Sequence, residues 1–338
     1  DKLSARALAR RAGVSMVSGS DKVDSVEAAL RIAAEIGYPV ITKASAGGGG
    51  RGMLVAADEA ALSAGFERAA NEAREAFGDG TLFLERYVVQ ARHVEVQVVG
   101  DGAGRVLHFG ERDCSIQRRY QKMVEEAPAA ILPDVVRARL HAAAVTLLAG
   151  IGYRNAGTVE FLYDVDREEF SFMEVNARIQ VEHPVSEMIT GVDLVRTQLE
   201  LAAGYGLPAT QDAIRARGHA IEVRVIAEDP ARDFAPSPGR VARWCPPAGE
   251  GVRVDTAVAE GAMVPPFYDS MIAKLIVHGA DRPQAVARLR AALDGFVVEG
   301  IATNLPLLRF IAAHPDYIHN RVDTRWLERT LLPAWRAH

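Results

Sequence analysis

Apolar and polar residues recur with two periods along this chain, and the two periods predict a mixture of helices and strands. Helical spacing predicts helices at Leu3–Arg11, Val26–Ile36, Glu59–Phe77, Pro133–Ala149, Gly191–Ala203, Pro283–Phe296, Leu305–Ala313 and Thr324–Leu332. Short runs of alternating or β-branched residues predict strands at Tyr38–Lys43, Met53–Val55, Thr81–Val89, His93–Val99, Arg105–Gly110, His219–Ala227, Gly239–Trp244, Gly251–Val258 and Met271–His278. The pattern therefore predicts a protein of mixed structure in which a sheet accumulates along the chain.

One further pair of strands carries carboxylates where buried apolar residues would be expected. Gly157–Tyr163 and Glu169–Asn176 are rich in β-branched and aromatic residues and flank a polar turn, which predicts a hairpin. Symmetric pairing about Arg167 places Glu160 opposite Glu174. Two ionised carboxylates ~5 Å apart repel each other by ~3 kcal/mol at an effective dielectric constant of ~20. Something must therefore offset this repulsion.

A shared proton or a divalent cation would each offset the repulsion between the two carboxylates. Asn176 lies two residues further along the same face and adds a third oxygen ligand, and oxygen ligands suit Mg²⁺ or Mn²⁺. Arg178, Gln180, Glu182 and His183 follow as a run of polar side chains just past the strand end. We interpret this run as an anion site beside a cation site.

The alternative is a hairpin whose acidic residues face solvent. Its strands are flanked by large apolar side chains, which favour burial of both faces: Phe161, Leu162, Phe170, Phe172 and Met173.

A glycine-rich segment joins two of the predicted strands. Gly47–Gly50 and Gly52 leave the backbone N–H groups unobstructed, as a phosphate cradle requires, and the segment is flanked by Lys43 and Arg51. It has no GK[ST] sequence and no helix follows it, so it is neither a P-loop nor a dinucleotide-binding turn. We interpret it as a glycine flap over a nucleotide. The alternative is a flexible linker.

Two other groups of charged residues have more than one interpretation. Residues 111–122 concentrate cations at Arg118, Arg119 and Lys122, which is typical either of a solvated basic loop or of a contact with a polyanion. Arg224 shares a strand face with Glu222, so it forms either an ion pair with Glu222 or a contact with a ligand.

Composition limits the functional class. The chain has 338 residues, of which 49% are hydrophobic, and a net charge of −5, which gives no overall electrostatic reason to bind nucleic acid or an anionic membrane. Its two cysteines have no metal-binding spacing, and no apolar run approaches ~20 residues, so we expect a cytoplasmic protein. Because Asp1-Lys2 opens directly into a helical pattern without Met, we expect a fragment.

Three motifs taken together resemble the biotin carboxylases. They are Lys43-Ala44-Ser45 with GGGGRG, Glu111–Ser115 with QRRYQK and VEEAP, and Glu174–Pro184, which reads EVNARIQVEHP. The resemblance continues through HAIEVR at 219–224 and YDSM at 268–271 and covers nearly the whole chain.

The resemblance implies an α+β ATP-grasp fold, with a glycine-flap lid, a central antiparallel sheet and a mixed α/β biotin carboxylase C-terminal domain. The implied boundaries are a connecting helix at 1–18 after a missing N-terminal domain, the lid at 19–87, the central domain at 88–208 and the C-terminal domain at 209–333. It also implies a reaction in which ATP and bicarbonate give carboxyphosphate, whose carboxyl group passes to N1′ of biotin on a carrier protein.

The resemblance also implies the residues of the site. ATP would contact Lys2, Lys43, Gly49, Gly50, Glu85, Arg86, Tyr87, Val88, His93, Gln117, Tyr120, Leu162, Glu160 and Glu174. Mg²⁺ or Mn²⁺, with two ions expected, would bind Glu160, Glu174 and Asn176, and bicarbonate would bind Lys122, Arg178, Gln180 and Val181. Glu182 would be the general base, and Arg224 would contact biotin or the carboxyphosphate. Lys122, Arg178 and Arg224 would act with Glu182 in catalysis.

The implied partners are a biotin carboxyl carrier protein and a carboxyltransferase, with homo-oligomerisation when the N-terminal domain is present. An acyl-CoA acceptor is favoured on Glu126 of VEEAP. The sequence departs from the family at Tyr120, where many members have His or another residue. Two other functions stay open: a different ATP-grasp carboxylate–amine ligase, and an assembly module that binds without turnover.

Overall fold

The computed structural model describes residues 9–10, 13–16, 19–45 and 52–337. Lys2, Gly49, Gly50 and most of the helix predicted at Leu3–Arg11 lie outside the described residues. The chain divides into two compact units, a smaller one at Ser15–Val89 and a larger one that comprises Asp1–Val14 and Gln90–His338. The domain boundaries implied at residues 19, 88 and 209 stay predictions.

The smaller unit is a four-stranded antiparallel sheet that packs against two helices. Its strands are β1 (Gly19–Val23), β2 (Val40–Ala44), β3 (Leu54–Ala56) and β4 (Leu82–Arg86), in the order β1-β4-β2-β3, and its helices are α1 (Val26–Ile36) and α2 (Glu59–Phe77). Both helices have the predicted bounds, because Ser25 and Asp58 cap their N-termini by accepting hydrogen bonds from Ala28 N and Ala61 N. Leu62 and Phe66 of α2 are buried in the core of this unit.

The larger unit is organised around an eight-stranded sheet. The strands of this unit are β5 (Ala91–Asp101), β6 (Val106–Arg118), β7 (Gln121–Ala127), β8 (Arg154–Asp164), β9 (Glu169–Asn176), β10 (His219–Ile226), β11 (Glu228–Asp229), β12 (Ala235–Pro236), β13 (Gly239–Arg240), β14 (Arg243–Cys245), β15 (Val252–Thr256), β16 (Met263–Val264), β17 (Met271–Gly279) and β18 (Val297–Glu299). The large sheet has the order β15-β17-β10-β7-β6-β5-β8-β9, and its pairings are antiparallel.

Helices pack around this sheet. They are α3 (Asp134–Ala149), α4 (His183–Thr190), α5 (Leu194–Ala202), α6 (Arg282–Gly295), α7 (Leu305–Ala313), α8 (Pro315–Ile318) and α9 (Leu332–Arg336), with short 3₁₀ turns at Gln211–Ala213 and Pro230–Arg232 and a π-helical turn at Leu327–Leu331. The largest core cluster joins apolar residues of β10 and β17 to those of α6 and α7. None of the helices in the described part of the chain has the length and apolar character needed to cross a lipid bilayer.

The hairpin predicted from the acidic strands is confirmed. Glu160 of β8 pairs directly with Glu174 of β9, and Thr158 pairs with Asn176. Burial on both faces is only partly confirmed: the Phe161, Phe170 and Phe172 side chains are buried, but Met173 is 41% exposed. The reason is that β9 is an edge strand of the sheet.

Residues 111–122 are not a loop, so that interpretation was wrong. Residues up to Arg118 belong to β6, the chain turns at Arg119 and Tyr120 with φ of 47° and 67°, and Gln121 begins β7. In the β6 part of the segment polarity does not mark exposure, because Arg112, Asp113 and Gln117 are buried. The exposed residues of the segment are Arg119, Tyr120 and Gln121, at the turn.

Two helices also differ from prediction, and one of them is the helix predicted at Thr324–Leu332, which is a π-helical turn at Leu327–Leu331 followed by α9. The helix predicted at Gly191–Ala203 begins only at Leu194, and α4 precedes it within the polar run after the hairpin. Pro184 suits the first turn of α4, and Gly191 ends that helix in the left-handed region with φ of 72°. In α3, Val135 is 73% exposed and its neighbour Val136 is buried, so the helix turns Val136 rather than Val135 toward the core.

Candidate active site

A row of charged residues crosses four strands of the large sheet at one register. Glu174 pairs with Glu160, Glu160 pairs with Glu95 of β5, and Glu95 pairs with Arg112 of β6. Directly opposite residues project from the same face of a sheet, so these four side chains lie on one face. Glu95 and Arg112 are fully buried. The acidic pair predicted from the hairpin is therefore one end of a longer polar row.

Arg112 neutralises the charge of Glu95, the buried carboxylate of this row. Its Nε donates to Glu95 Oε1 at 2.6 Å, and its Nη1 donates to Gln97 Oε1 at 2.7 Å and to Ser186 Oγ at 3.0 Å. Its Nη2 donates to Thr158 Oγ1 at 3.2 Å. Burial opposes ionisation of Arg112, but Glu95 and other acidic groups outweigh burial and raise the pKa of the guanidinium.

Lys122 connects the acidic row to the predicted general base. Its Nζ donates to Glu95 Oε2 at 2.5 Å and to Glu182 Oε1 at 2.6 Å, and lies 3.3 Å from Glu160 Oε1. Burial would lower the pKa of Lys122, but the acidic groups around it raise the pKa well above its usual value. Lys122 is therefore a fixed cation between three carboxylates.

Glu182 lies between two cations. Its side chain is only 2% exposed, its Oε1 accepts the bond from Lys122, and its Oε2 accepts a hydrogen bond from Arg224 Nη2 at 2.9 Å. The residue precedes α4, so the start of that helix fixes its backbone. The alternative that Arg224 forms an ion pair with Glu222 is not observed: Arg224 Nε instead donates to Glu125 Oε1 at 2.6 Å.

The residues around Glu160 suit a hard divalent cation. Glu160 Oε1 accepts hydrogen bonds at 2.9 Å from both Asn176 Nδ2 and Gln180 Nε2, and Glu160 Oε2 lies 3.1 Å from His93 Nε2. Burial would raise the pKa of Glu160, but His93, Lys122 and Gln180 lower it, so the carboxylate is ionised at neutral pH. Ligand atoms of His93, Glu95 and Glu160 all lie within 4.8 Å of one another. Carboxylates and an amide oxygen are a donor set for Mg²⁺ or Mn²⁺.

Only some of the residues expected to contact ATP in the larger unit lie next to one another. Gln117 Nε2 lies 2.8 Å from His93 Nδ1, and Leu162 is the cross-strand neighbour of His93. Tyr120 lies on the β6–β7 turn and is 70% exposed.

The other described ATP residues belong to the smaller unit. Lys43 near the end of β2 forms a 2.5 Å ion pair with Glu85 of β4. Arg86 ends β4 and Tyr87 N donates to Pro39 O at 2.8 Å. Val88 is buried.

The predicted bicarbonate residues differ in their surroundings. Gln180 is buried between Glu160 and Arg112, and Val181 O accepts a hydrogen bond from Lys274 Nζ at 3.0 Å. Arg178 is exposed, and its guanidinium donates to Ile179 O at 3.2 Å. Among the described residues Arg178 forms no ion pair, so its charge is available to an anion.

Three residues of the site were not predicted: Glu95, Arg112 and Glu125. A signal for Glu95 was present, because His93, Glu95 and Gln97 alternate as polar residues within an apolar strand. The same argument that selected the acidic hairpin applies to β5.

We expect Glu174→Gln to weaken Mn²⁺ binding by about tenfold or more, because it removes one charged oxygen ligand. Electron paramagnetic resonance of free Mn²⁺, titrated with protein and a non-hydrolysable ATP analogue, measures this. Glu168→Gln, an exposed residue on the same hairpin, removes the same charge and serves as the control. Equal affinity in the two variants would show that Glu174 is not a ligand.

Comparison with known proteins gives the family. Residues 1–210 match the family described as "Carbamoyl-phosphate synthase L chain, ATP binding domain", and residues 222–329 match "Biotin carboxylase C-terminal domain". The chain is 47% identical to biotin carboxylase 1 of Bacillus subtilis over 96% of this chain and 72% of that protein. It is 47% identical to a pyruvate carboxylase subunit of Methanothermobacter thermautotrophicus, over 97% of this chain and 67% of that protein.

A solved structure agrees with these matches. The biotin carboxylase domain dimer of the Hydrogenobacter thermophilus 2-oxoglutarate carboxylase, a complex with MgADP, ADP and bicarbonate, superposes with a TM-score of 0.87 at 48% identity, over 97% of this chain and 72% of that one. The likeness confirms the predicted α+β ATP-grasp fold. This chain belongs to the biotin carboxylase family, whose members are ATP-dependent ligases that use ATP, Mg²⁺ and biotin.

Proposed function

We propose that this chain carboxylates biotin on a carrier protein, with ATP and bicarbonate as substrates and carboxyphosphate as the intermediate. The observation that carries the proposal is the placement of Glu182, a buried carboxylate with Lys122 on one oxygen and Arg224 on the other. A base in such a setting takes a proton from a bound anion only if fixed cations stabilise the dianion that forms, and both cations are in place.

The proposed chemistry assigns each group a task. Glu182 accepts the proton of bicarbonate, while Lys122 and Arg178, with Gln180 and the Val181 backbone, hold the anion. A bicarbonate oxygen then attacks the γ-phosphorus of ATP and ADP leaves. The carboxyl group of the resulting carboxyphosphate passes to N1′ of biotin, and the departing phosphate takes the N1′ proton.

The remaining residues hold the nucleotide, the metal and biotin. Arg224 contacts biotin, and Arg178 stabilises its enolate. Glu160, Glu174 and Asn176 would hold Mg²⁺ or Mn²⁺, which supplies charge neutralisation at the phosphates when bound.

The molecule that finally accepts the carboxyl group is selected by the carboxyltransferase partner. Glu126, on which an acyl-CoA acceptor was favoured, is buried, with His219 Nε2 and Arg282 Nε at 2.8 Å and 2.7 Å from its Oε2. These contacts hold the strands and helix together, so Glu126 gives no reason to favour an acyl-CoA over another acceptor. The relatives' names include pyruvate and 2-oxoglutarate carboxylases. We keep an acyl-CoA carboxylase as the proposed setting, with a biotin carrier and a carboxyltransferase as partners. The homo-oligomer and the cytoplasmic location stay predictions.

The test is ATP hydrolysis by the purified chain with Mg²⁺. We expect hydrolysis that requires bicarbonate, that is not supported by formate at equal ionic strength, and that rises with free biotin. Formation of ¹⁴C-carboxybiotin from labelled bicarbonate identifies the product. Addition of a carrier and a carboxyltransferase then distinguishes an acyl-CoA acceptor from a 2-oxo acid.

Other outcomes favour the other functions. Turnover that is indifferent to bicarbonate but requires an amine would indicate a different ATP-grasp ligase. An absence of turnover combined with stabilisation by Mg-ATP would indicate an assembly module, since ligand at ~100 times its Kd adds ~2.7 kcal/mol to the free energy of unfolding.

A further inference from the structure

Two buried carboxylates outside the predicted site face each other behind Arg224. Glu125 of β7 and Glu222 of β10 are directly opposite in register, and neither side chain is exposed to solvent. Directly opposite residues in an antiparallel pair have Cβ atoms about 5 Å apart and project from the same face. The two carboxyl groups are therefore neighbours on one face of the sheet, out of contact with solvent.

Their hydrogen bonds do not balance if both are ionised. Glu125 Oε1 accepts from Arg224 Nε at 2.6 Å, but among the described residues Glu125 Oε2 and both oxygens of Glu222 have no hydrogen-bond partner. Buried polar atoms normally have partners, and an unpaired buried carboxylate is costly. A proton on Glu222 gives that carboxyl group an O–H donor, from which Glu125 Oε2 can accept a hydrogen bond.

The charges around the pair agree with one proton rather than none. Arg224 on the same strand as Glu222 is shared between Glu125 and Glu182. Lys274 of β17, the cross-strand neighbour of Arg224, lies 3.6 Å from Asp255 and donates to the Val181 carbonyl. The nearby cations are thus already occupied by other acceptors.

The electrostatics point the same way. Burial and then the charge of Glu125 raise the pKa of Glu222 well above its usual range, and Lys274 and Arg224 only oppose this shift. Burial also raises the pKa of Glu125, against the opposing effects of Arg224 and Lys122, while Glu182 adds to the increase. Mutual repulsion means that only one of the pair ionises near neutral pH.

We propose that Glu125 and Glu222 hold a single proton, with Glu222 as a neutral acid and Glu125 as the carboxylate that positions Arg224 against Glu182. The pair acts through Arg224, so both are positioning residues. Its kinetic consequence rests on the proposed function. Loss of the proton at alkaline pH places a second negative charge beside Arg224 and draws the guanidinium away from Glu182 and biotin.

The first test does not need turnover. Infrared spectra at about pH 7, where the pair is proposed to hold one proton, should show a protonated carboxylic-acid C=O band in the wild-type chain. Glu222→Gln, an isostere of the neutral acid, should lack that band. Glu250→Gln, at an exposed position, should retain it. Retention of the band in Glu222→Gln, or its absence from the wild type, would overturn the proposal.

Stability gives an independent readout. A carboxyl whose pKa is raised on folding stabilises the protein fully below its unfolded pKa, and this stabilisation is lost as pH rises through the folded pKa. The thermal midpoint of Glu222→Gln should therefore increase relative to wild type as pH rises above 4.5, the usual pKa of a glutamate. A constant difference across this range would overturn the assignment.

Glu125→Gln covers the case in which Glu222→Gln does not fold. Its acid band should persist, because Glu222 keeps its proton, whereas loss of the band would assign the proton to Glu125 and overturn the proposal.

Kinetically, Glu125→Gln should raise the KM for biotin about tenfold or more, the loss expected for a charge-assisted hydrogen bond. In Glu222→Gln the alkaline limb of the pH profile should move to higher pH. If the chain turns out not to carboxylate biotin, the spectra and the thermal midpoints still decide the protonation of the pair.

Discussion

Glu182→Gln is expected to lower bicarbonate-dependent ATP turnover by about 10²–10⁴-fold, the usual contribution of a general base. The amide has the size of the carboxylate but cannot accept the proton of bicarbonate. Its carbonyl oxygen can still accept a bond from Lys122 or Arg224, so the fold is expected to survive. Steady-state ATP hydrolysis with and without bicarbonate, together with circular dichroism, measures both effects.

The control for this variant is Glu200→Gln, which removes an equal charge from a surface ion pair with Arg196. It should leave turnover unchanged. Turnover of Glu182→Gln within about threefold of the control, well short of the contribution of a general base, would remove Glu182 from the role of base.

Arg112→Met is expected to lower the free energy of unfolding by about 3–5 kcal/mol, because it leaves Glu95 buried without its main partner. The Arg112 and Glu95 side chains are both 0% exposed, and they form a 2.6 Å ion pair. Lys122 alone would then face the ionised Glu95. Urea denaturation, followed by fluorescence of the larger unit, measures the loss.

Two further variants separate the buried charge from packing. Arg112→Met combined with Glu95→Gln should recover part of the stability, since no unpaired charge then remains in the core. Arg196→Met, at a side chain that is 74% exposed in an ion pair with Glu200, should cost about 0–1 kcal/mol. A cost for Arg112→Met as small as this control would show that the buried row is not held by charge.

The parts of the fold that the sequence predicts well are those set by local interactions. The two helices of the smaller unit have their predicted bounds because Ser25 and Asp58 cap them within one turn. The pairing of Glu160 with Glu174 follows from a short turn and a two-residue side-chain period, both of which are local.

The parts that the sequence does not predict depend on partners in other strands. Arg112 belongs to a basic, polar segment, and only the pairing of β6 with β5 shows that Glu95 neutralises it in the core. Similarly, Glu125 acquires a role only when β10 brings Arg224 beside it, 99 positions along the chain. The contact of Arg224 with Glu125 leaves no local signal, because it is a single pair between strands far apart in sequence. Glu95 and Arg112 lie on consecutive strands, but a register shift between Val96 and Val98 decides that Arg112 pairs with Glu95.

Arg178 shows the opposite situation. The sequence places it correctly after β9, but in this structure its guanidinium contacts a neighbouring carbonyl rather than Lys122 or Glu182. An exposed cation with no ion pair among the described residues is free to reorient toward an anion. Its proposed task as a bicarbonate ligand therefore depends on a substrate-bound geometry rather than on a preformed contact.

The pairing of β7 with β10 has a consequence for how this protein can be divided. One family match ends at residue 210 and the other begins at residue 222, yet β7 and β10 are hydrogen-bonded neighbours in a single sheet. A cut in the connecting segment would expose the backbone of β7 as an open strand edge, a template for aggregation. The segment that looks like a recombination point in sequence is therefore a poor site for exchanging modules between carboxylases. Any chimera built there must supply a strand that matches β7 residue for residue.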